Sequence, residues 1–327
     1  MKAIRCREWG APDTLRFEEA ESPKLQPHQV RIRVRAAGVN FADTLMVAGR
    51  YQVKPPFPFT PGLEAAGEVV EAGAAVGNLR VGERVIAVLR SGGGYAEEIV
   101  LDAAAVVPIP AAMDFVTAAA FPVAYGTSHF ALTHRGRLQA GETLLVLGAA
   151  GGVGLTAVEI GKAMGARVIA AASTPEKLAV ARAHGADETI DYAKEPLTER
   201  VMALTGGKGA DVCFDPVGGS LFDPALSSLG WGGRILLIGF VGGVPQIPAN
   251  RLLVKHRSAI GSSLRYFRWH APDKLERSVE ELFGWYREGK LKPCITHRLP
   301  LERSVEALHL LTDRRAHGKI VIELEAA

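Results

Sequence analysis

The chain of 327 residues carries 38 Lys and Arg against 35 Asp and Glu, a formal charge of +3, with 48% apolar and 22% charged residues. This is ordinary globular composition, long enough for two compact units with separate cores. It has no basic run that would make a footprint for nucleic acid or an anionic membrane, and Cys6, Cys213 and Cys294 lie too far apart for a CxxC pair or a disulfide framework.

The opening "MKAIRCREWG" lacks an apolar signal core, and no run approaches the roughly 18 apolar residues that span a bilayer. The cytoplasm is the expected compartment. From Met1 to about Asp114 the pattern is short strands between turn residues. In "QVRIRVRAAGV", Arg31, Arg33 and Arg35 alternate with Val30, Ile32 and Val34, the two-residue period of a half-buried strand. The stretches "AAGEVVEAG", "GERVIAVL" and "GGYAEEIVL" read alike, so this part is expected to be all β.

After Thr143 the pattern changes. "TLLVLG", "ARVIAAA", "ADVCFD" and "GRILLIG" are apolar without polar alternation, and each leads into a helical stretch. Strands buried on both faces that alternate with helices predict βαβ units and a parallel sheet. In "LLVLGAAGGVG", Ala149, Gly151 and Gly154 have the spacing of a dinucleotide fingerprint, with Gly148 just before. Small residues from Ala150 through Gly151, Gly152, Val153 and Gly154 let a pyrophosphate approach the backbone, where a helix opening near Val153 would aim free N–H groups and its positive dipole end. The other reading is a closely packed strand-turn-helix corner.

At the end of the next strand, "ARVIAAASTPEK", the acid that would bond the ribose hydroxyls of NAD is missing. Ser173, Thr174 and Lys177 stand there instead, donors and a positive charge that suit a 2′-phosphate. Thr174 before Pro175 also reads as a helix cap, and both readings are compatible. Because ligands of open α/β sheets lie beyond the carboxyl ends of strands, Asp215 to Val217, Gly239 to Phe240 and Ser262 to Leu264 are expected to meet ribose and nicotinamide. Farther on, "NRLLVKH", "PDKLERSVEELFGWYREG" and "LERSVEALHLLTD" predict helices, and "GKIVIEL" a final strand.

The ordered series "GVNFADTLMVAGRY", "PGLEAAGEVVEAG", "GGYAEEIV", "GTSHFAL", "GAAGGVG", "DPVGG", "GGRILLIGF" and "HGKIVIEL" spans essentially the whole chain. It resembles the medium-chain dehydrogenase/reductase superfamily, and within it the zinc-independent quinone oxidoreductase, or zeta-crystallin-like, family. The resemblance implies an α/β protein with a GroES-like, β-rich catalytic domain over 1–120, a Rossmann NADPH-binding domain with a doubly wound parallel sheet over 121–264, and a C-terminal return to the catalytic domain over 265–327.

In the zinc members of that superfamily, ligands occupy the places of Asn40, Leu63 and Ala119. None of these residues is a zinc ligand of the usual kind, and the lobe of structural-zinc cysteines is missing between Leu89 and Leu101. The expectation is therefore no metal, and hydride transfer from NADPH to an acceptor that is already electrophilic, a quinone or an enone. The resemblance puts Asn40, Asp43 and Tyr51 beside the nicotinamide. Tyr51 matches a proton donor proposed in related enoyl-thioester reductases, or is an aromatic wall of the pocket. It also assigns Thr127, Ser173, Lys177 and Tyr192 to the cofactor, with Val217, Gly239, Phe240, Ser262, Ser263, Leu264 and Lys319. A homodimer, formed through the segment around "NRLLVKH" and the strand that adjoins it, is implied too. The alternatives are an enoyl-thioester reductase and a crystallin-like NADPH-binding protein without turnover.

Overall fold

The structure is a computed structural model that describes residues 1–265 and 270–324. It divides into two compact units: Met1–Val123 with Pro293–Ala327, and Ala124–Lys292. Among the described residues, no helix is long and apolar enough to cross a membrane.

The first unit is built on a mixed sheet whose order is Ile295–Pro300, Lys319–Glu323, Gln29–Val39, Glu64–Ala72, Arg84–Val88 and Val106–Pro108, with Glu98–Asp102 also paired to Gln29–Val39. The alternation in "QVRIRVRAAGV" is the reason for the central strand: Val30, Ile32 and Val34 are at most 2% exposed. On the other face Arg31 and Arg35 pair with Glu71 and Glu68, each at 3.0 Å. The last strand lies antiparallel to the end of this one, Ile320 opposite Val39 and Val321 opposite Gly38. That register carries Lys319 to the place where the chain leaves the sheet at Asn40. The first 114 residues are not all β, since a helix runs over Phe41–Val47.

The second unit holds a parallel sheet with the order Glu188–Asp191, Arg167–Ala172, Thr143–Leu147, Ala210–Asp215, Leu229–Leu237 and Ser258–Gly261. This is a doubly wound Rossmann order, with the direction of winding reversed between Thr143–Leu147 and Ala210–Asp215. Leu144, Leu145, Val146 and Leu147 have no exposure at all, as the unbroken apolar run requires. The strand Glu188–Asp191 was not among the predicted elements. It is short, and its "ETID" has no apolar run.

The expected C-terminal segment, 265–327, divides at Pro293, and its residues 266–269 and 325–327 lie outside the described ones. Helix Pro272–Arg287 belongs to the second unit. It is held there by His129, 1% exposed, whose Nε2 lies 2.8 Å from Glu281 Oε2 and whose Nδ1 lies 3.1 Å from Ser278 Oγ. Glu159, on the helix that follows the glycine turn, is a second tie. It accepts from Tyr125 at 2.5 Å and from the Lys292 amide at 3.1 Å, with His184 Nδ1 at 2.6 Å.

The turn itself is shaped by two glycines. Gly148 has φ +55°, a left-handed conformation that side chains rarely adopt, and a Cβ on Gly154 would stand 2.2 Å from Gly148 O. Helix Gly152–Ala163 therefore crosses the turn at backbone contact. Gly154→Ala is expected to destabilise this unit by about 1–3 kcal/mol, the usual cost of overpacking, read as a lower midpoint in urea unfolding.

Candidate active site

In the first unit the chain leaves the central sheet at Asn40, which caps helix Phe41–Val47, and Asp43 sits in the first helical turn. The Asp43 carboxylate accepts from the Asn40 amide at 2.8 Å, one half of a reciprocal cap, and from the Tyr95 hydroxyl at 2.9 Å. Asp43 has no exposed surface. Its Oδ1 has no partner among the described residues. Burial pushes this carboxyl up to about 7, opposed by the bonds from Asn40 and Tyr95 and by the nearby Lys319 charge, and the Glu64 charge raises it further.

Beside it lies a second buried carboxylate. Glu64 is 0% exposed and accepts from Asn40 Nδ2 at 2.8 Å, from Val123 N at 2.8 Å and from Lys319 Nζ at 2.7 Å. Lys319, 5% exposed, donates also to Asn40 Oδ1 at 2.8 Å and to Val39 O at 3.0 Å. An ammonium has three protons, and three acceptors surround it. The register of the last strand turns Lys319, which the resemblance assigns to the cofactor, into the Asn40 and Glu64 cluster. Tyr51 is half-buried against the core of the same unit, and its amide donates to Leu45 O at 3.1 Å.

In the second unit the predicted cofactor residues follow one rule of position: each strand of the parallel sheet ends at one of them. Gly148 follows Thr143–Leu147, Ser173 follows Arg167–Ala172, Tyr192 follows Glu188–Asp191, and Val217, Gly239 and Ser262 follow the other three closely. Ala150 is buried, and Gly151 caps the glycine helix with no side-chain bond, so the amides of Gly152, Val153 and Gly154 open its first turn. Thr174 does cap the next helix, accepting from Lys177 N at 3.3 Å with Pro175 at the first position. Lys177 thus stands in a first turn, two residues after Pro175.

Tyr192 is half-buried, and its amide donates to Ala172 O at 3.1 Å. Val217 packs on Gly148, where a Cβ would meet it at 3.1 Å. Leu264 packs on Gly126, next to Thr127, while Ser128 Oγ on the same helix donates to Val153 O at 2.8 Å. Ser263 and Phe240 are exposed, Phe240 by 46%.

Two buried atoms at these strand ends lack partners among the described residues: Asp215 Oδ2 and Ser262 Oγ. Asp215 Oδ1 is satisfied by the amides of Val217 and Gly218, both at 2.8 Å, and burial holds its carboxyl above the ordinary range. Orphaned polar atoms, an open first turn and a turn of glycine backbone fit a dinucleotide with polar edges. Sequence reasoning passes over Tyr95, whose hydroxyl donates to Asp43, and a tyrosine inside the small-residue run "GGGYA" is the one sign the sequence offers of it.

The Asp43 carboxyl has a measurable consequence. Its folded value, about 7, lies above the ordinary 3.8, so the folded state holds the proton more tightly. The stabilisation is complete below the lower value and is lost as pH rises through the upper one. Asp43→Asn, neutral throughout, is expected to gain about 3 kcal/mol on the wild type between pH 5 and 9, measured by urea unfolding across that range.

Comparison with known proteins gives two matching families, the alcohol dehydrogenase GroES-like domain over residues 26–111 and the zinc-binding dehydrogenase over residues 152–282. The quinone oxidoreductase-like protein 2 homolog of Nematostella vectensis is 42% identical over 324 residues, 98% of this chain and 88% of that one. The quinone oxidoreductase of Pseudomonas syringae is similar in structure, with a TM-score of 0.92 and 32% identity over 98% of this chain and 99% of that one. So is the Escherichia coli quinone oxidoreductase solved in complex with NADPH, with a TM-score of 0.92 and 28% identity over 99% of this chain and all of the other, 100%.

The second family's name raises a metal, but zinc does not fit the donor set found here. Asn40 Oδ1 and Glu64 Oε1 are both bonded to the Lys319 ammonium, a fixed positive charge that a divalent ion would have to displace. Leu63, 6% exposed, offers no ligand, and among the described residues no group of three or more His, Cys, Asp or Glu side chains comes together to hold a metal. With likenesses that run its whole length, the chain belongs to the quinone oxidoreductase family of the medium-chain dehydrogenase/reductase superfamily.

Proposed function

We propose that this protein is an NADPH-dependent, zinc-independent reductase of a quinone or an α,β-unsaturated carbonyl. The observation that carries the reading is the set of strand ends in the second unit, where the glycine turn meets an open helix start and the neighbouring strand ends without an acid. Ser173 and Lys177 in that place suit the 2′-phosphate of NADPH, whereas an NAD site would have a carboxylate there. The relatives named above, one of them solved with NADPH, support the same cofactor.

When bound, NADPH supplies the hydride. The amides of Gly152, Val153 and Gly154 would hold its pyrophosphate, Asp215 and Ser262 would take polar edges of its ribose and nicotinamide, and Thr127, Tyr192, Gly239, Phe240, Ser263 and Leu264 would complete the binding surface. The first unit provides the groups for the acceptor. Asn40 bonds the acceptor oxygen, Asp43 holds the Asn40 backbone in place, and the Tyr51 phenol protonates the carbanion or enolate left after reduction. No Lewis acid is needed for an acceptor whose carbonyl is conjugated, so orientation supplies most of the rate.

The second unit is also the partner surface. Its sheet ends at Ser258–Gly261, an edge strand among the described residues; Trp231, in the strand Leu229–Leu237 that pairs with it, and Leu253 and Val254, just before it in the chain, are 77%, 77% and 75% exposed. Large apolar side chains at an open sheet edge favour pairing with a second copy.

Steady-state NADPH oxidation over a panel of quinones, enones, alkenals and enoyl thioesters tests the function. Quinones and enones are expected to give the highest turnover over affinity. NADPH binding without turnover of any acceptor would leave a binding protein, and a preference for the thioesters an enoyl-thioester reductase. Tyr51→Phe is expected to slow enone reduction roughly 100-fold, the usual worth of a positioned acid, and unchanged enone reduction would remove Tyr51 as donor. For the assembly, light scattering is expected to give twice the chain mass, and the Leu253→Glu, Val254→Glu double variant to give a monomer.

A further inference from the structure

The Asn40 carboxamide is held at both ends. Its Oδ1 receives a proton from Lys319 Nζ at 2.8 Å, and its Nδ2 donates to Glu64 Oε1 at 2.8 Å. Lys319 and Glu64 close the ring with their own contact of 2.7 Å. A carboxamide is nearly symmetrical in shape, so its neighbours decide which end is which. An ammonium only donates and a carboxylate only accepts. The reversed orientation would set NH₂ against the cation and oxygen against the anion, which leaves one orientation.

The same ring polarises the group. A proton donated to Oδ1 draws density away from the amide nitrogen and makes its N–H the stronger donor, as in any chain of hydrogen bonds at low dielectric. One of the two Nδ2 protons is taken by Glu64. Among the described residues the other meets Gly38 O, at 3.4 Å, a long contact that an acceptor oxygen can replace. Asn40 itself is half-buried, while its two partners are buried at 0% and 5%.

We propose that Lys319 is a positioning residue for reduction: balanced by Glu64, its ammonium fixes Asn40 in one orientation and strengthens the Asn40 N–H that meets the oxygen of the acceptor as negative charge develops there. The inference rests on the reading that the acceptor is a quinone or conjugated carbonyl. It gives the cation a place in the reaction through Asn40 rather than through the cofactor.

The test is a cycle of variants. Lys319→Met alone would leave Glu64 as an unpaired buried charge, so it is combined with Glu64→Gln, which keeps the pocket neutral and similar in volume. In this double variant NADPH is expected to bind within twofold of the wild type by calorimetry, while kcat for a short enone falls by roughly 10- to 100-fold, less than the roughly 100- to 1000-fold for outright loss of a donor to a developing oxyanion, because Asn40 itself remains. Asn40→Ala should lower kcat by the larger factor in the wild type and by less in the double variant. A loss of NADPH affinity in step with kcat would overturn the proposal and return Lys319 to the cofactor, and additive losses would overturn it by making Lys319 independent of Asn40. A readout without turnover is the Asn40 side-chain amide pair in ¹⁵N NMR, assigned by its loss in Asn40→Ala. Its signals are expected to shift and broaden in the double variant, and unchanged signals would also overturn the positioning role. A wild type that reduces no quinone or enone would instead sink the proposed function, whatever the amide signals show.

Discussion

A carboxylate with no solvent contact is the constraint around which the first unit is arranged. Glu64 is fully buried, and a buried charge of that kind is very costly unless matched by an opposite charge and by hydrogen bonds on its remaining lone pairs. Lys319 supplies the charge, and Asn40 and the Val123 amide supply the bonds. Each partner is far away in the chain, Lys319 by 255 residues. The final strand must therefore pair with the end of the central one for the cluster to form at all.

The second unit meets a different requirement by a different means. Its inner strands Thr143–Leu147 and Arg167–Ala172 are buried and almost wholly apolar along their length, and the polar groups gather where the strands stop. Six such ends lie along one edge of a single sheet, and the residues picked from the sequence as cofactor contacts follow them. Close packing sets the detail. Gly154 lets helix and turn touch, Val217 closes over Gly148, and Ser128 ties a neighbouring helix to the start of the glycine helix. In Asp215 one oxygen accepts from two backbone amides and the other has no partner among the described residues.

Where the reading of the sequence and the structure part company, the reasons are physical. "FADTLMV" was taken as part of an all-β stretch, yet it is a helix, because Asn40 and Asp43 make a cap that outweighs the strand-like surroundings. The segment 265–327 was taken as one return to the first unit, but its first helix carries Ser278 and Glu281, whose partner is the buried His129 of the second. Lys319, which the resemblance assigns to the cofactor, has hydrogen-bond partners at residues 39, 40 and 64, far from it in the chain.

What the sequence determined by itself was whatever depends on local pattern. The two-residue period of "QVRIRVRAAGV", the apolar runs and the glycine turn after "TLLVL" all concern residues that are close in the chain, and the structure has the strands and the helix they predict. Only the tertiary structure decided which distant groups share a proton or a charge: Tyr95 with Asp43, and Lys319 with Asn40 and Glu64. Strand register sets those meetings, and register follows from the packing of whole sheets, which no short stretch of residues contains.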